Sequence, residues 1–185
     1  MKPLFRPLSA ALLGLLVMAV PAFAAGAEAP NAPKVKLTFV DWEKFSDIAV
    51  DGMSDRSASE LIHHELERHL LSLTKRRLEP GQTLEIRMKD VDLAGAIEPW
   101  RGPDFGHIRY LRDTQPPRLV FDYRLLAADG TVLMEGPERL INLTFRYQPI
   151  TTSRDTTFFE KQLLSDWVHQ TFEAPRKPKK SKKQP

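Results

Sequence analysis

Cysteine is absent from all 185 residues, and that absence closes off a block of chemistry. The chain has no disulfide, no thiolate metal site, no iron–sulfur cluster, no cysteine nucleophile and no lipid anchor attached through a lipobox cysteine. Other signatures are missing as well. There is no P-loop, no dinucleotide-binding glycine fingerprint, no nucleophile elbow and no Ser-His-Asp set. No internal repeat is visible, and beyond the N-terminus no segment is apolar enough to span a membrane, so an integral membrane protein is not expected. What is present is a chain with 42% hydrophobic and 28% charged residues of both signs, a composition that argues against disorder throughout.

The N-terminus has the three parts of an export signal. Lys2 and Arg6 supply the basic start, Leu8 to Val20 the apolar stretch, and Pro21-Ala22-Phe23-Ala24 the small residues that a signal peptidase reads. Cleavage after Ala24 is expected, with the mature protein in the periplasm. The apolar stretch is shorter than the roughly 20 residues of a spanning helix, which weighs against an uncleaved anchor. Residues 25–33 are small and proline-containing and read as a flexible linker.

Charge divides the remainder unevenly. Residues 34–173 hold 19 basic and 23 acidic side chains, whereas residues 174–185 carry six cations and no anion. The sequence pI of 9.2 therefore describes a mildly acidic domain with a disordered Lys-rich tail. Such a tail can make weak contact with an anionic envelope surface, or it can serve only as a solubilising end. Nucleic acid is not an expected partner of an exported chain.

Periodicity predicts one domain over 34–173. Val35, Leu37 and Phe39 alternate with polar neighbours as a half-buried strand does. Asp41 to Arg56 reads as a loop, with Trp42, Phe45 and Ile48 available to dock on the core. Ser57-Ala58-Ser59-Glu60 fits a capping box, and Ile62, Leu66, Leu70 and Leu73 follow at helical spacing until Pro80-Gly81. Leu84, Ile86 and Met88 form a second strand whose apolar parity switches at Val91 and Leu93, which requires a β-bulge near Lys89-Asp90. Ala94 to Gly106 looks irregular, and Ile108 to Leu111 looks like a short strand. A strand through Leu119, Phe121, Tyr123 and Leu125 turns at Asp129-Gly130 into a return strand. That return strand is expected to break at Gly136-Pro137. A second helix from about Thr157 presents Phe159, Leu163, Trp167 and Val168. The fold class that follows is α+β, a two-layer sandwich of a mostly antiparallel sheet of four to five strands with two helices on one face, in the order β-α-β-β-β-α.

Few residues carry a chemical signal. His64-Glu65 starts like a zinc-protease helix, but the following histidine is His69, about 140° further round the helix, so the imidazoles do not converge. His63, His64 and His69 therefore read as surface or flank residues. Asp90-Val91-Asp92 begins like a calcium loop, yet Ala94 and Arg101 stand at two of its ligand positions. The carboxylates of Asp90, Asp92 and Glu98 remain a loose cluster. They either serve a metal-assisted hydrolase, joined by a histidine such as His107, or bond backbone amides at the bulge. Glu98-Pro99-Trp100-Arg101 reads equally as a recognition loop, with Trp100 as stacking platform and Arg101 as anion clamp, or as a Trp plug over the core. Arg109, Arg112, Arg118 and Arg124 offer further anion contacts, or cross-strand pairs with Asp113, Asp122 and Glu85. Asp90, Asp92, Glu98, Trp100, Arg101 and Arg109 are the candidate binding residues; no catalytic residue, metal or cofactor is expected.

Several stretches together resemble a proteobacterial family known as the domain-of-unknown-function family numbered 3016. They are Thr38-Phe39-Val40-Asp41, Glu65-Leu66-Glu67-Arg68-His69-Leu70, Asp90-Val91-Asp92-Leu93-Ala94-Gly95, Glu98-Pro99-Trp100, Pro117-Arg118, Asp129-Gly130 and Leu163-Leu164-Ser165-Asp166-Trp167. The resemblance implies an exported protein of a Gram-negative envelope and brings no activity with it. The expectation is a non-enzymatic binding or envelope-associated module whose partner, an envelope protein or ligand, is not named by the sequence.

Overall fold

The computed structural model describes residues 32–147 and 155–172. The expected leader, almost all of the linker and the Lys-rich tail lie outside the described residues. The chain runs β1 (Lys34–Phe39), α1 (Asp55–Thr74), β2 (Thr83–Asp92), β3 (Ala96–Ile97), β4 (Arg109–Tyr110), β5 (Arg118–Leu126), β6 (Val132–Ile141) and α2 (Phe158–Thr171). Four strands form one sheet in the order β1-β2-β5-β6, while β3 and β4 pair separately. Of these strand pairs only β1 and β2 are parallel, and α1 connects them. This is the α+β sandwich that the periodicity predicts.

One face of the sheet is apolar and both helices cover it. Leu37, Ile86 and Tyr123 lie in register across the three strands β1, β2 and β5 and point into the core. Ile62, Leu66 and Leu70 of α1 fill the space above, and Trp167 of α2 meets Phe121 and Tyr123 edge-on at centroid distances of 5.0 and 5.2 Å. The register of β2 on β5 slips between Met88 and Asp90, which is the bulge demanded by the parity switch. Past it, Val91 and Leu93 take over the inward positions. The opposite face stays wet and is laced with charge: Lys36, Glu85, Arg124 and Glu135 alternate in sign along one row across all four strands.

Three local expectations need correction. The first helix begins at Asp55, because Ser54 caps it by accepting a hydrogen bond from the Ser57 amide; Ser57 is not the cap. The return strand does not break at Gly136-Pro137. β6 is an edge strand, where an N–H turned away from the sheet has no ladder bond to lose, so proline is tolerated opposite Asp122. The irregular stretch after Ala94 contains β3, whose two residues pair with β4.

The connections are sorted by end. At one end the links are short: residues 75–82 between α1 and β2, and the Asp129-Gly130 hairpin. Both ends of the described chain are also there, with Lys34 beside Thr83 and the Phe172 carbonyl accepting from Arg77, 3.0 Å away. The other end holds the long excursions 40–54 and 93–117 and the described residues 142–147 and 155–157. Long loops held on a rigid frame are where binding surfaces are usually made.

Gly95 fixes the root of the longest excursion. Its φ is +73°, and a Cβ there would lie 2.1 Å from the Tyr110 carbonyl oxygen. Gly95→Ala should therefore cost about 2–4 kcal/mol, combining left-handed strain with overpacking. Gly130→Ala, at φ +86° with nothing within 4 Å of the new Cβ, should cost about 1–2 kcal/mol. Urea denaturation of both variants measures the ranking.

Candidate functional site

The excursion 93–117 is folded by ion pairs because it has little apolar core of its own. Glu98 is only 4% exposed and sits at its centre. Its carboxylate accepts from Arg101 on one oxygen and from Arg112, 2.7 Å away, on the other. Those two guanidinium groups hold the Glu98 carboxyl down at about 2, against a usual 4.5. Arg101 in turn lies over the Tyr110 ring, 4.2 Å from its centroid, and the Tyr110 hydroxyl donates to the Phe105 carbonyl at 3.2 Å.

Arg109 ties this unit to the sheet. Its guanidinium makes a bidentate pair with Asp47 at 2.9 and 3.0 Å, and also donates to the carbonyls of Gly95 at 2.7 Å and Ala49 at 2.8 Å. Asp47 is held from behind by the end of β2: its amide donates to the Val91 carbonyl, and its carbonyl accepts from the Leu93 amide. One arginine thus joins the excursions 40–54 and 93–117, with its donors turned inward. Next to it, Asp90 accepts from the Ser46 amide at 2.7 Å and hydroxyl at 2.9 Å, and Arg118 bridges Asp90 and Asp92, each at 3.1 Å. Burial pushes the Asp92 carboxyl up, partly offset by Arg118. Asp92 and Arg118 line an open cleft of about 470 Å³ with Ser46, Thr114 and Gln115.

The six sequence candidates fall into separate roles. Asp90 and Asp92 are brought together with Arg118, whereas Glu98 is paired elsewhere with Arg101 and Arg112. Among the described residues no three His, Asp or Glu side chains are placed to hold a metal ion, so the Asp90/Asp92/Glu98 cluster does not assemble. His107 lies near the Pro103 carbonyl, apart from these carboxylates' partners. Trp100 is 78% exposed on the short 3-10 turn Pro99–Arg101, and it plugs no part of the core. Phe105, Ile108 and Leu111 of the same excursion are exposed too.

The arginine pairs differ from the cross-strand ones expected, apart from Arg124 with Glu85. Asp122 is taken by Lys89 and Asp113 by Arg146. His63 and His69 are half-buried: His63 Nε2 meets the Leu37 carbonyl at 2.9 Å, and His69 Nε2 lies 2.8 Å from the Ser165 hydroxyl between the helices. Two residues of this end escaped the sequence reading. Asp47 carried no signal in an aperiodic loop. Glu160 did, as a carboxylate within the apolar stripe of α2.

A family model described as "Protein of unknown function (DUF3016)" matches residues 33–170. No curated protein matches the chain in sequence. Among solved structures, a dodecamer of a PelC variant from Paraburkholderia phytofirmans is 6% identical with a TM-score of 0.37, over 75% of this chain and 83% of that one. A second PelC dodecamer from the same organism is 9% identical with a TM-score of 0.33, over 77% and 89%. A minor lipoprotein from Acinetobacter baumannii is 10% identical with a TM-score of 0.23, over 75% and 87%. Likenesses this distant carry nothing about the chemistry of this chain.

Two variants test the bracing. Arg109→Met strands Asp47 and should destabilise by about 3 kcal/mol or more in urea denaturation. Glu98→Gln should change the acid side of the stability profile. A carboxyl held below its unfolded value contributes stability that is present above about 4.5 and lost as pH falls toward about 2. The variant's denaturation midpoint should vary less than the wild type's across that window.

Proposed function

The chain belongs to the DUF3016 family, and from that premise we propose that it is an exported, non-enzymatic binding module of a Gram-negative envelope that works through the Trp100 end of its domain. The N-terminal Lys2/Arg6, Leu8–Val20 and Ala22-Phe23-Ala24 pattern supports export. Among the described residues no helix is long and apolar enough to cross a membrane.

The exposure of Trp100 carries the reading. A large aromatic held outward on a loop braced by Glu98 with Arg101 and Arg112, and by Arg109 with Asp47, has paid much of its ordering entropy before any partner arrives. Preorganised tryptophans of this kind are the residues on which interfaces concentrate their energy. Phe105 and Ile108 extend the contact, and Arg101 supplies a charged edge. Arg109 serves as a brace behind this surface, since its donors already face Asp47 and backbone carbonyls. The carboxylates of Asp90, Asp92 and Glu98 are likewise engaged by arginines, which suits holding a shape more than moving a proton.

Trp100→Ala is the direct test. Its thermal stability should stay within about 0.5 kcal/mol of wild type, as for a surface position. Crosslinking in intact periplasm followed by pull-down should recover a partner with the wild type and lose it with the variant. Recovery of the same partner at the same yield, or a large loss of stability, overturns the reading.

A further inference from the structure

Among the described residues the fully buried carboxyl of Glu160 belongs to no ion pair, and it sits where the longest excursion leaves the sheet. Glu160 is 0% exposed in the first turn of α2, beside Phe159, and Phe159 packs with Phe145 and Ala94. Its Oε1 accepts from the Ala94 amide at 2.9 Å, and its Oε2 has no hydrogen-bond partner among the described residues. Ala94 and Gly95 are the residues through which the chain passes from β2 into the Trp100 excursion. Thus one side chain of α2 grips the root of the excursion through one oxygen, while the other oxygen is stranded in an apolar setting.

We infer that Glu160 is a protonation-controlled latch: neutral, it holds the root of the 93–117 excursion against α2, and on losing its proton it leaves its pocket and releases that root from α2. A neutral carboxyl keeps the Ala94 bond at modest cost. A carboxylate met only by the Ala94 amide and its own backbone amide in a buried setting carries an uncompensated charge, and the cheapest relief is to reach water. The charged groups that act on it do not supply a dedicated partner. Arg109 of β4 favours the ionised form, but its guanidinium is already engaged by Asp47 and by carbonyls. Asp155, ahead of α2, opposes ionisation. Lys161, its neighbour on the helix, is turned to Glu65 and Asp155 at 2.6 and 3.0 Å. Burial consequently pushes the Glu160 carboxyl up to about 7, from a usual 4.5. The latch would operate around neutral pH.

The test uses the isolated protein, so its outcome is independent of whether Trp100 meets a partner. In isotope-labelled wild type, the Glu160 carboxyl carbon should titrate near 7 and the Ala94 amide should shift with the same midpoint. Amide-exchange protection at Ala94, corrected for intrinsic rates, should fall at least tenfold above that midpoint, while protection at Gly95, whose amide donates to the Gln115 carbonyl, and in β2 and β5 stays constant. In Glu160→Gln the protection at Ala94 should be independent of pH. Stability gives a second readout. A carboxyl raised in the folded state loses stability to the unfolded one as pH climbs from about 4.5 through about 7, so the wild-type melting temperature should decline over that window and the variant's should decline less. A Glu160 carboxyl that titrates near 4.5, an Ala94 amide that does not follow it, or equal exchange profiles in both proteins would overturn the inference. Should Glu160→Gln fail to fold, the wild-type titration decides alone.

Discussion

The bidentate contact between Arg109 and Asp47 is the interaction on which the loop end depends, because it is the point where two long excursions meet the sheet. A segment as long as 93–117 cannot be ordered by its own apolar contacts: most of its large hydrophobics face solvent, and β3 and β4 contribute only two residues each. Ordering costs roughly 1–2 kcal/mol per residue in backbone entropy. Something must offset that cost, and charge-assisted hydrogen bonds from a half-buried guanidinium are the strongest available. Arg109 is only 16% exposed at its side chain, so its attraction to Asp47 is screened less than that of a surface pair. The arrangement is strict in return. Removing either partner leaves a guanidinium facing only carbonyl oxygens or a carboxylate with only the Ala49 amide for a donor, and both excursions lose their common anchor.

The frame was legible in the sequence wherever a period was at work. Alternation at 35–39 and 84–88, its inversion at Val91, and the Asp129-Gly130 turn together specify the central strands and the bulge. They do so because a side chain on a half-buried sheet has only two sides to choose from. Periodicity failed where a residue's role depended on strand order. Pro137 reads as a breaker until β6 is seen to be an edge, and no local pattern reveals which strand is outermost. Ser54 lost to Ser57 for a related reason: both are followed by plausible first turns, and the choice rests on where the chain enters the helix.

The loop end was legible as a set of residues but not as a set of partnerships. Apart from Asp47, the carboxylates and arginines were visible between Asp90 and Arg118, yet their partners were not: Glu98 turns to Arg112 within its excursion, Arg109 to Asp47 in another, and Arg118 to Asp90 and Asp92 across the strands. Sequence distance carries no information about such contacts. The bulge adds to this. By inserting Lys89 it sets both Asp90 and Asp92 against Arg118, so a feature forced by apolar parity also decides which charges meet. Trp100 shows the same limit from another direction, since an exposed and a buried tryptophan have one composition and differ only in what surrounds them.

The sorting of connections gives the molecule a direction. Short turns and both described chain ends share one end of the sandwich, and the braced aromatic excursion occupies the other. Both helices run from the loop end to the closed end, so each places its first turn beneath an excursion: α1 after 40–54, and α2 against Ala94 through Glu160. Rigidity is therefore concentrated around the outward tryptophan, while a fully buried carboxyl with no counter-charge among the described residues is set at the root of its support. Local stability in proteins is uneven, and a weak point is tolerated where opening a small unit is cheaper than opening the whole. Here the weak point is the contact of α2 with the Ala94 amide, made by an acid whose other oxygen is unmet among the described residues, beside the carbonyls that accept from Arg109. Releasing it would loosen the approach to the excursion and leave the ion pairs within the excursion intact. The Arg109–Asp47 anchor would keep the Trp100 surface on the sheet, so the release is confined to the seam between α2 and the root.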